Sequence, residues 1–299
     1  MMTIQDKISL IRSRLKQAYG LLKSCHVCPR RCDVNRLQDG TGFCGMGLQP
    51  VVSSDNLHHG EEPPISGFRG SGTIFLTGCN LGCIFCQNYP ISHLRHGNVL
   101  TPSQLAQKML RLQKAGAHNI NFVTPTHFAP QIMTTLLIAY RKGLTIPIVY
   151  NCGGYESLDM LRLWDGIVDI YMPDMKYSDP KMAERYSSAA DYPERNRDAI
   201  KEMHRHVGDL QIDEEGIAQK GLLIRHLVLP ENIAGTKNIL RFIAEEISPD
   251  TYISLMSQYF PAHRAVSMPP INRRITRSEY QKAREWLEYF GLRRGWVQG

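Results

Sequence analysis

The chain has 299 residues, 42% of them hydrophobic and 21% charged, a globular composition with enough length for one large α/β barrel or two small domains, which excludes disordered and collagen-like chains. No run approaches the ~20 apolar residues of a bilayer span, and the opening residues alternate charge with Ile and Leu instead of forming a secretory core, so a cytoplasmic protein without membrane contact is expected. Thirty-five Lys and Arg against 28 Asp and Glu leave a net charge of +7, compatible with simple solubility, an acidic protein partner or nucleic acid.

Ile4, Ile8, Ile11, Leu15 and Leu22 recur at helical intervals, and residues 1–24 are expected to form an amphipathic helix laid against the body. Residues 25–72 follow as a Cys-, Gly- and Pro-rich extension, closing on a glycine run (Gly67, Gly70, Gly72) that reads as a loop feeding a strand. Apolar runs then alternate with helical segments. Strands are expected at 73–77, 120–123, 146–150, 170–175, 222–229 and 252–256. Helices lie between them, one carrying Leu105, Met109 and Leu112 on a single face. Residues 209–221, with Glu214, Glu215 and Gly216 central, read as a hairpin before the fifth strand. A last helix carries Tyr280, Ala283, Leu287 and Phe290 within a basic segment at 262–299. Strands each trailed by a helix predict parallel pairing, and the expected fold is α/β: a partial (β/α)6 TIM-like barrel over 73–261 with the N-terminal Cys-rich extension.

Eight cysteines in a reducing compartment point to metal ligands or catalysts before disulfides. Cys79, Cys83 and Cys86 fall within eight residues just beyond the first strand, the end at which parallel α/β folds gather their sites. Three thiolates can hold three irons of a [4Fe–4S] cube and leave the fourth open, whereas an electron-transfer cluster takes four. The competing reading is zinc, which needs a fourth ligand such as His93 or an open water position. A second set, Cys25, Cys28, Cys32 and Cys44, can close around one structural zinc or ligate an auxiliary iron–sulfur cluster.

The Cys-x3-Cys-x2-Cys spacing, with Phe85 before the last Cys, resembles the signature of the radical S-adenosylmethionine superfamily. A wider set is similar to the pyruvate formate-lyase activating enzymes and their less characterised branch. It comprises residues 40–44, Gly60-Glu61-Glu62-Pro63-Pro64, Val123-Thr124-Pro125-Thr126-His127, residues 151–156 and Pro173-Asp174-Met175-Lys176-Tyr177. The resemblance implies a [4Fe–4S] cluster and S-adenosylmethionine, reductive cleavage to a 5′-deoxyadenosyl radical, and hydrogen abstraction, with a glycyl-radical enzyme as a candidate target. It places Phe85 beside the cofactors, and Thr124, Thr126 and His127 where relatives carry a Gly-Gly-Glu run for the methionine ammonium. The carboxylate of that run is missing here, which leaves His127 between a ligand contact and a loop residue. Asp174 and Lys176 match an Asp and a Lys lining the cofactor and cation site. Asn151, Cys152 and Met172 fall at the relatives' monovalent-cation site, with Asn for their Asp.

Arg225 interrupts an apolar strand and is costly to bury unpaired, so it is expected to meet an anionic partner at the barrel mouth. By resemblance it contacts substrate, and Arg225 and Lys176 are the expected catalytic side chains. Gln258 and Tyr259 follow the sixth strand and can complete the site. The alternatives are radical chemistry on a peptide, a small metabolite or RNA, and a non-enzymatic iron–sulfur or zinc protein. Arg273, Arg274, Arg277, Arg293 and Arg294 form a basic face that suits an acidic electron donor such as flavodoxin or ferredoxin, and a nucleic-acid partner is not favoured. Residues 67–72 precede a strand instead of opening a helix and make a poor phosphate cradle. His58, His59, His204 and His206 read as surface or loop histidines.

Overall fold

A computed structural model describes residues 2–298. Its strands are β1 (Val51–His58), β2 (Ser71–Leu76), β3 (Asn98–Val99), β4 (Ile120–Val123), β5 (Ile148–Cys152), β6 (Ile170–Pro173), β7 (Gln211–Ile212), β8 (Ala218–Leu227), β9 (Tyr252–Met256) and β10 (Gly295–Val297). They form one sheet in the order β10-β9-β8-β6-β5-β4-β2-β1-β3, with β7 paired to β8 off this path. From β2 to β10 every pairing along the path is parallel, and the ends do not join, so the barrel is open. This is the expected α/β fold with parallel strands, extended by β10 beyond the six strands legible from periodicity. The hairpin before the fifth strand is β7–β8, turned through Gly216 at φ +82°.

The central strands β5, β6 and β9 are buried along their whole length, as strands covered on both faces must be. Helices α3 (Tyr89–Ser92), α4 (Pro102–Lys114), α5 (Ala129–Arg141), α6 (Leu158–Arg162), α7 (Pro180–Ser187), α8 (Tyr192–Val207), α9 (Thr236–Phe242) and α10 (Arg277–Tyr289) lie between or beyond the strands. The start of α4 shows how locally this is coded. Thr101 and Gln104 form a reciprocal cap, Pro102 takes the first turn, and Leu105, Ala106, Met109 and Leu112 bury one face.

The segment before β2 departs from expectation. Residues 25–72 carry β1, which pairs antiparallel with β2 and β3, followed by α2 (Pro63–Ser66). Helix α1 (Ile4–Lys23) buries Ile8, Ile11, Ala18 and Leu22. It is tied to α5 by a hydrogen bond between Tyr19 and Thr134 at 3.0 Å, and to the sheet by Lys7 on Asp169 at 2.5 Å. Among the described residues no helix is long and apolar enough to cross a membrane.

Candidate cofactor site

Beyond the C-terminal end of β2 the chain turns at Gly78, whose φ of +81° and closeness to the Cys44 carbonyl leave no space for a side chain. The loop from Cys79 to Cys86 is held against the end of α7, with the Gly82 and Ile84 N–H groups donating to the Ser187 and Tyr186 carbonyls at 3.4 and 3.0 Å. Cys79, Cys83 and Cys86 line one wall of a cavity of about 240 Å³.

Each sulfur has a polar neighbour. The Leu81 N–H donates to Cys79 Sγ at 3.3 Å, the Ser187 hydroxyl to Cys83 Sγ at 2.9 Å, and Cys86 Sγ lies 3.1 Å from the Ser92 hydroxyl. Tyr177 bonds Ser187 in turn at 2.8 Å. Burial pushes the Cys79 and Cys83 thiols up, and Lys176 opposes that rise at Cys83. A buried cation and donors aimed at sulfur suit thiolates held by iron, because they compensate charge that the cavity wall does not solvate. Phe85 is buried beside the triplet, edge-on to Tyr177 and Tyr259 with centroids 6.4 and 5.8 Å away.

Opposite the triplet, the ends of β5, β6 and β8 bring Asn151, Asp174, Lys176 and Arg225 together. Lys176 Nζ donates to Asp174 at 2.5 Å, and Arg225 reaches Asp174 at 2.9 Å and the Asn151 side-chain carbonyl at 2.7 Å. Burial works to raise the Asp174 carboxyl, but Arg225 and Lys176 hold it below its ordinary value. Burial also works against the Lys176 charge, and Asp174 more than restores it. Arg225 has a second anionic neighbour that periodicity does not reveal. Glu61, in the connection after β1, lies 3.6 Å from its guanidinium and accepts from Asn121 at 3.0 Å. Burial raises the Glu61 carboxyl to about 7, against the pull of Arg225. The anionic partner expected for Arg225 is therefore internal, a pair of carboxylates.

The remaining expected residues separate. Thr124 lines the cavity at φ +61°, strained for a β-branched residue, its N–H donating to the Asn151 backbone carbonyl at 2.8 Å. Thr126 turns away and donates to buried Glu156 at 2.7 Å, beside Tyr150, which donates to the same carboxyl at 3.0 Å. His127 is buried with Nε2 donating to the Thr77 carbonyl at 2.8 Å, and burial lowers its pKa to about 3. Met172 is buried with Val149 and Ile170 and pairs in register with Asn151 across β5 and β6, Cys152 lines the cavity beside Asn151, and the Asn151 side-chain carbonyl is taken by Arg225. Gln258 lines the cavity, exposed, while Tyr259 is buried and donates to the Ile271 carbonyl at 2.6 Å. His93 donates to the Cys83 carbonyl at 3.0 Å, which leaves it no place as a fourth zinc ligand through that nitrogen. Cys25, Cys28, Cys32 and Cys44 surround a separate, much smaller void. As they stand, no group of three or more His, Cys, Asp and Glu among the described residues is arranged to hold a single metal ion.

Ser187, Glu61 and Glu156 were not legible as site residues. Glu61 was visible only as part of a motif, Ser187 ends an unremarkable helix, and only the fold shows which sulfur or cation each one faces.

Comparison with known proteins adds an independent line. Over 296 residues, 96% of this chain and 80% of the relative, the sequence is 32% identical to the uncharacterized protein MJ0674 of Methanocaldococcus jannaschii. A second uncharacterized protein of that organism, MJ0808, is 20% identical over 273 residues, covering 82% of this chain and 73% of the relative. Among solved structures, a radical SAM methyltransferase from Sphaerobacter thermophilus superposes with a TM-score of 0.49 at 12% identity, over 76% of this chain and 66% of that one. The family model described as the Radical SAM superfamily matches residues 73–243, from the third residue of β2 to just past α9, and so takes in the triplet and the Asp174–Arg225 cluster. With more than half its length under that match, the chain belongs to the radical SAM superfamily.

Proposed function

We propose that this radical SAM enzyme takes a hydrogen atom from an uncharged, peptide-like substrate, and that the backbone glycine of a glycyl-radical enzyme is its target. The family implies a [4Fe–4S] cluster and S-adenosylmethionine, and the residues present suit both. Cys79, Cys83 and Cys86 would hold the cube with one iron left open, and Thr124, Asn151, Asp174 and Lys176 would hold the nucleotide. When bound, these groups supply one-electron cleavage of the sulfonium S–C5′ bond, with methionine as leaving group and a carbon radical that takes the substrate hydrogen. The protein's own work is positional and electrostatic: it presents an ammonium and a carboxylate 2.5 Å apart to an amino acid of opposite pattern, and keeps Cys83 buried and Cys79 and Cys86 half-buried.

The observation that carries the substrate class is the state of Arg225. Asp174 and Glu61 lie against its guanidinium and Glu62 adds a further negative charge nearby, so Arg225 is engaged within the protein and is not offered to an anionic metabolite or an RNA phosphate. The other residues open to a substrate are Gln87, Asn88 and Gln258, exposed amides that line the same cavity and match the donors and acceptors of a peptide backbone. The electron donor is an acidic flavodoxin or ferredoxin. Arg273 is engaged by Glu279 at 2.9 Å and is not free for it, so docking falls to the neighbouring arginines.

The test is isotope transfer. Reconstituted protein, dithionite and S-adenosylmethionine are mixed with a glycyl-radical protein of the same cell carrying α-deuterated glycine, and 5′-deoxyadenosine is analysed by mass. Deuterium in the product supports the proposal. Its absence with every such protein, or transfer from an anionic small metabolite instead, would contradict it.

A further inference from the structure

Four cysteines outside the cofactor cavity remain without a task. Cys25, Cys28 and Cys44 are buried and Cys32 half-buried; all are free thiols and all line one void of about 10 Å³. A void of that size admits about one water-sized sphere, whereas the cavity at the triplet measures about 240 Å³. The void is on the scale of a single ion and far below that of a cube of irons and sulfides, and the thiols have to move inward to reach an ion at its centre.

Two arginines at the void, Arg30 and Arg36, can counter the negative charge of a metal-bound tetrathiolate. Arg36 lines it at 1% exposure, and its guanidinium donates only to carbonyls: His127 at 2.6 Å and Gly47 at 2.7 Å. Arg30 lines it too, donating to the carbonyls of Asn80 at 2.8 Å and Ser187 at 3.1 Å, and stacks on Phe43 at 3.8 Å. No carboxylate among the described residues pairs with either. A buried guanidinium without an anion is costly, and among the described residues lining this void the groups that can become anions are the four thiols. A backbone N–H is aimed at one of them: Phe43 donates to Cys32 Sγ at 3.4 Å. Gly42 keeps the wall thin, because a Cβ there would lie 2.7 Å from Cys32 Sγ.

We infer that Cys25, Cys28, Cys32 and Cys44 bind one zinc ion as a closed tetrathiolate, counter-charged by Arg36 and Arg30, and that this knot braces the triplet loop. The thiols ring the void without meeting, and the ion draws them into a tetrahedron at the ~2.3 Å of zinc–thiolate bonds, releasing their protons to solvent. The brace runs through Arg30, which sits between Cys28 and Cys32 in sequence. Its guanidinium fastens the Asn80 carbonyl inside the triplet loop and the Ser187 carbonyl, while the Ser187 hydroxyl donates to Cys83 Sγ. The zinc assignment stands without the proposed reaction, and the brace rests on an iron cluster at the triplet.

The test is metal analysis of the anaerobically purified full-length protein before and after iron–sulfur reconstitution. About one zinc per chain is expected in both states, retained in Cys83→Ala and lost in the double variant Cys28→Ser/Cys44→Ser. Absence of zinc, or about eight irons per chain after reconstitution, would overturn the assignment. Should the double variant fail to fold, wild-type protein grown on cobalt is to show tetrahedral cobalt–thiolate absorption, and its absence would overturn the assignment equally. Arg30→Ala is expected to keep its zinc yet release triplet iron to a chelator on the order of tenfold faster. An unchanged release rate would overturn the brace. Zinc present with no response of the cluster to S-adenosylmethionine would sink the proposed reaction and leave the zinc site standing.

Discussion

Asp174 sits between two cations, Lys176 at 2.5 Å and Arg225 at 2.9 Å, in a setting where each of the three side chains is mostly buried. Removing its charge leaves Lys176 without its carboxylate and Arg225 facing only Glu61 and Glu62. Asp174→Asn is therefore expected to destabilise the fold by about 3–5 kcal/mol, read from urea unfolding, and to weaken S-adenosylmethionine binding by calorimetry. Unchanged stability would mean that the pair is not buried as described. Glu156 behaves differently. Three donors, Thr126, Tyr150 and Cys152, favour its ionised form, yet burial outweighs them and raises its pKa from 4.5 to about 7. The folded state thus holds this proton more tightly than the unfolded chain. The resulting stabilisation is full below about pH 4.5 and is lost as the pH rises through about 7. Glu156→Gln removes that loss, so the Tm difference between variant and wild type should shift in the variant's favour between pH 5 and pH 8. A pH-independent difference would contradict it.

Secondary elements deliver these residues through tight turns, and one turn is a sharp test. After β5 the chain bends at Gly154, φ +72°, where a Cβ would lie 2.4 Å from the Asp174 carbonyl. Gly154→Ala is expected to cost more than ~1 kcal/mol and to lower cofactor affinity, because relief of the clash must move the end of β6. Gly143, at φ +94° with open space around it, is the control: its alanine variant meets backbone strain alone and should leave affinity intact. Strands β4 and β9 fall on the residues that apolar runs mark out, and the triplet falls just past β2, because continuous burial writes itself as continuous hydrophobicity. Strand β1 was not legible. Its Ser53-Ser54-Asp55-Asn56 centre is polar, and it exists because Asp55 is held by Lys108 and Arg111 on α4 while its backbone pairs with β2. Strand β10, three residues long, offers too little pattern to read. At the site, residue types were legible and partners were not: Asp174, Lys176 and Arg225 stood out as charges in apolar strands, whereas the turn of Thr126 and His127 away from the cavity depends on Glu156 and Thr77, which only the assembled sheet brings near.

At the scale of the whole molecule, the N-terminal third meets the parallel sheet and its helices at several separate points. Helix α1 lies on α5, the cysteine-rich segment reaches the triplet loop through Arg30, and Glu61 enters from the connection after β1 to meet Arg225. Parallel sheet and N-terminal third thus serve one cavity, with thiols on one wall and an ion cluster on the other. The central claim is that the thiolates of Cys79, Cys83 and Cys86 hold a cube whose remaining iron takes S-adenosylmethionine. The direct measurement is product analysis after anaerobic reconstitution and incubation with dithionite and S-adenosylmethionine. Methionine and 5′-deoxyadenosine should appear in equal amounts, well above a Cys83→Ala control. Formation of 5′-deoxyadenosine no greater than in that control would contradict the account.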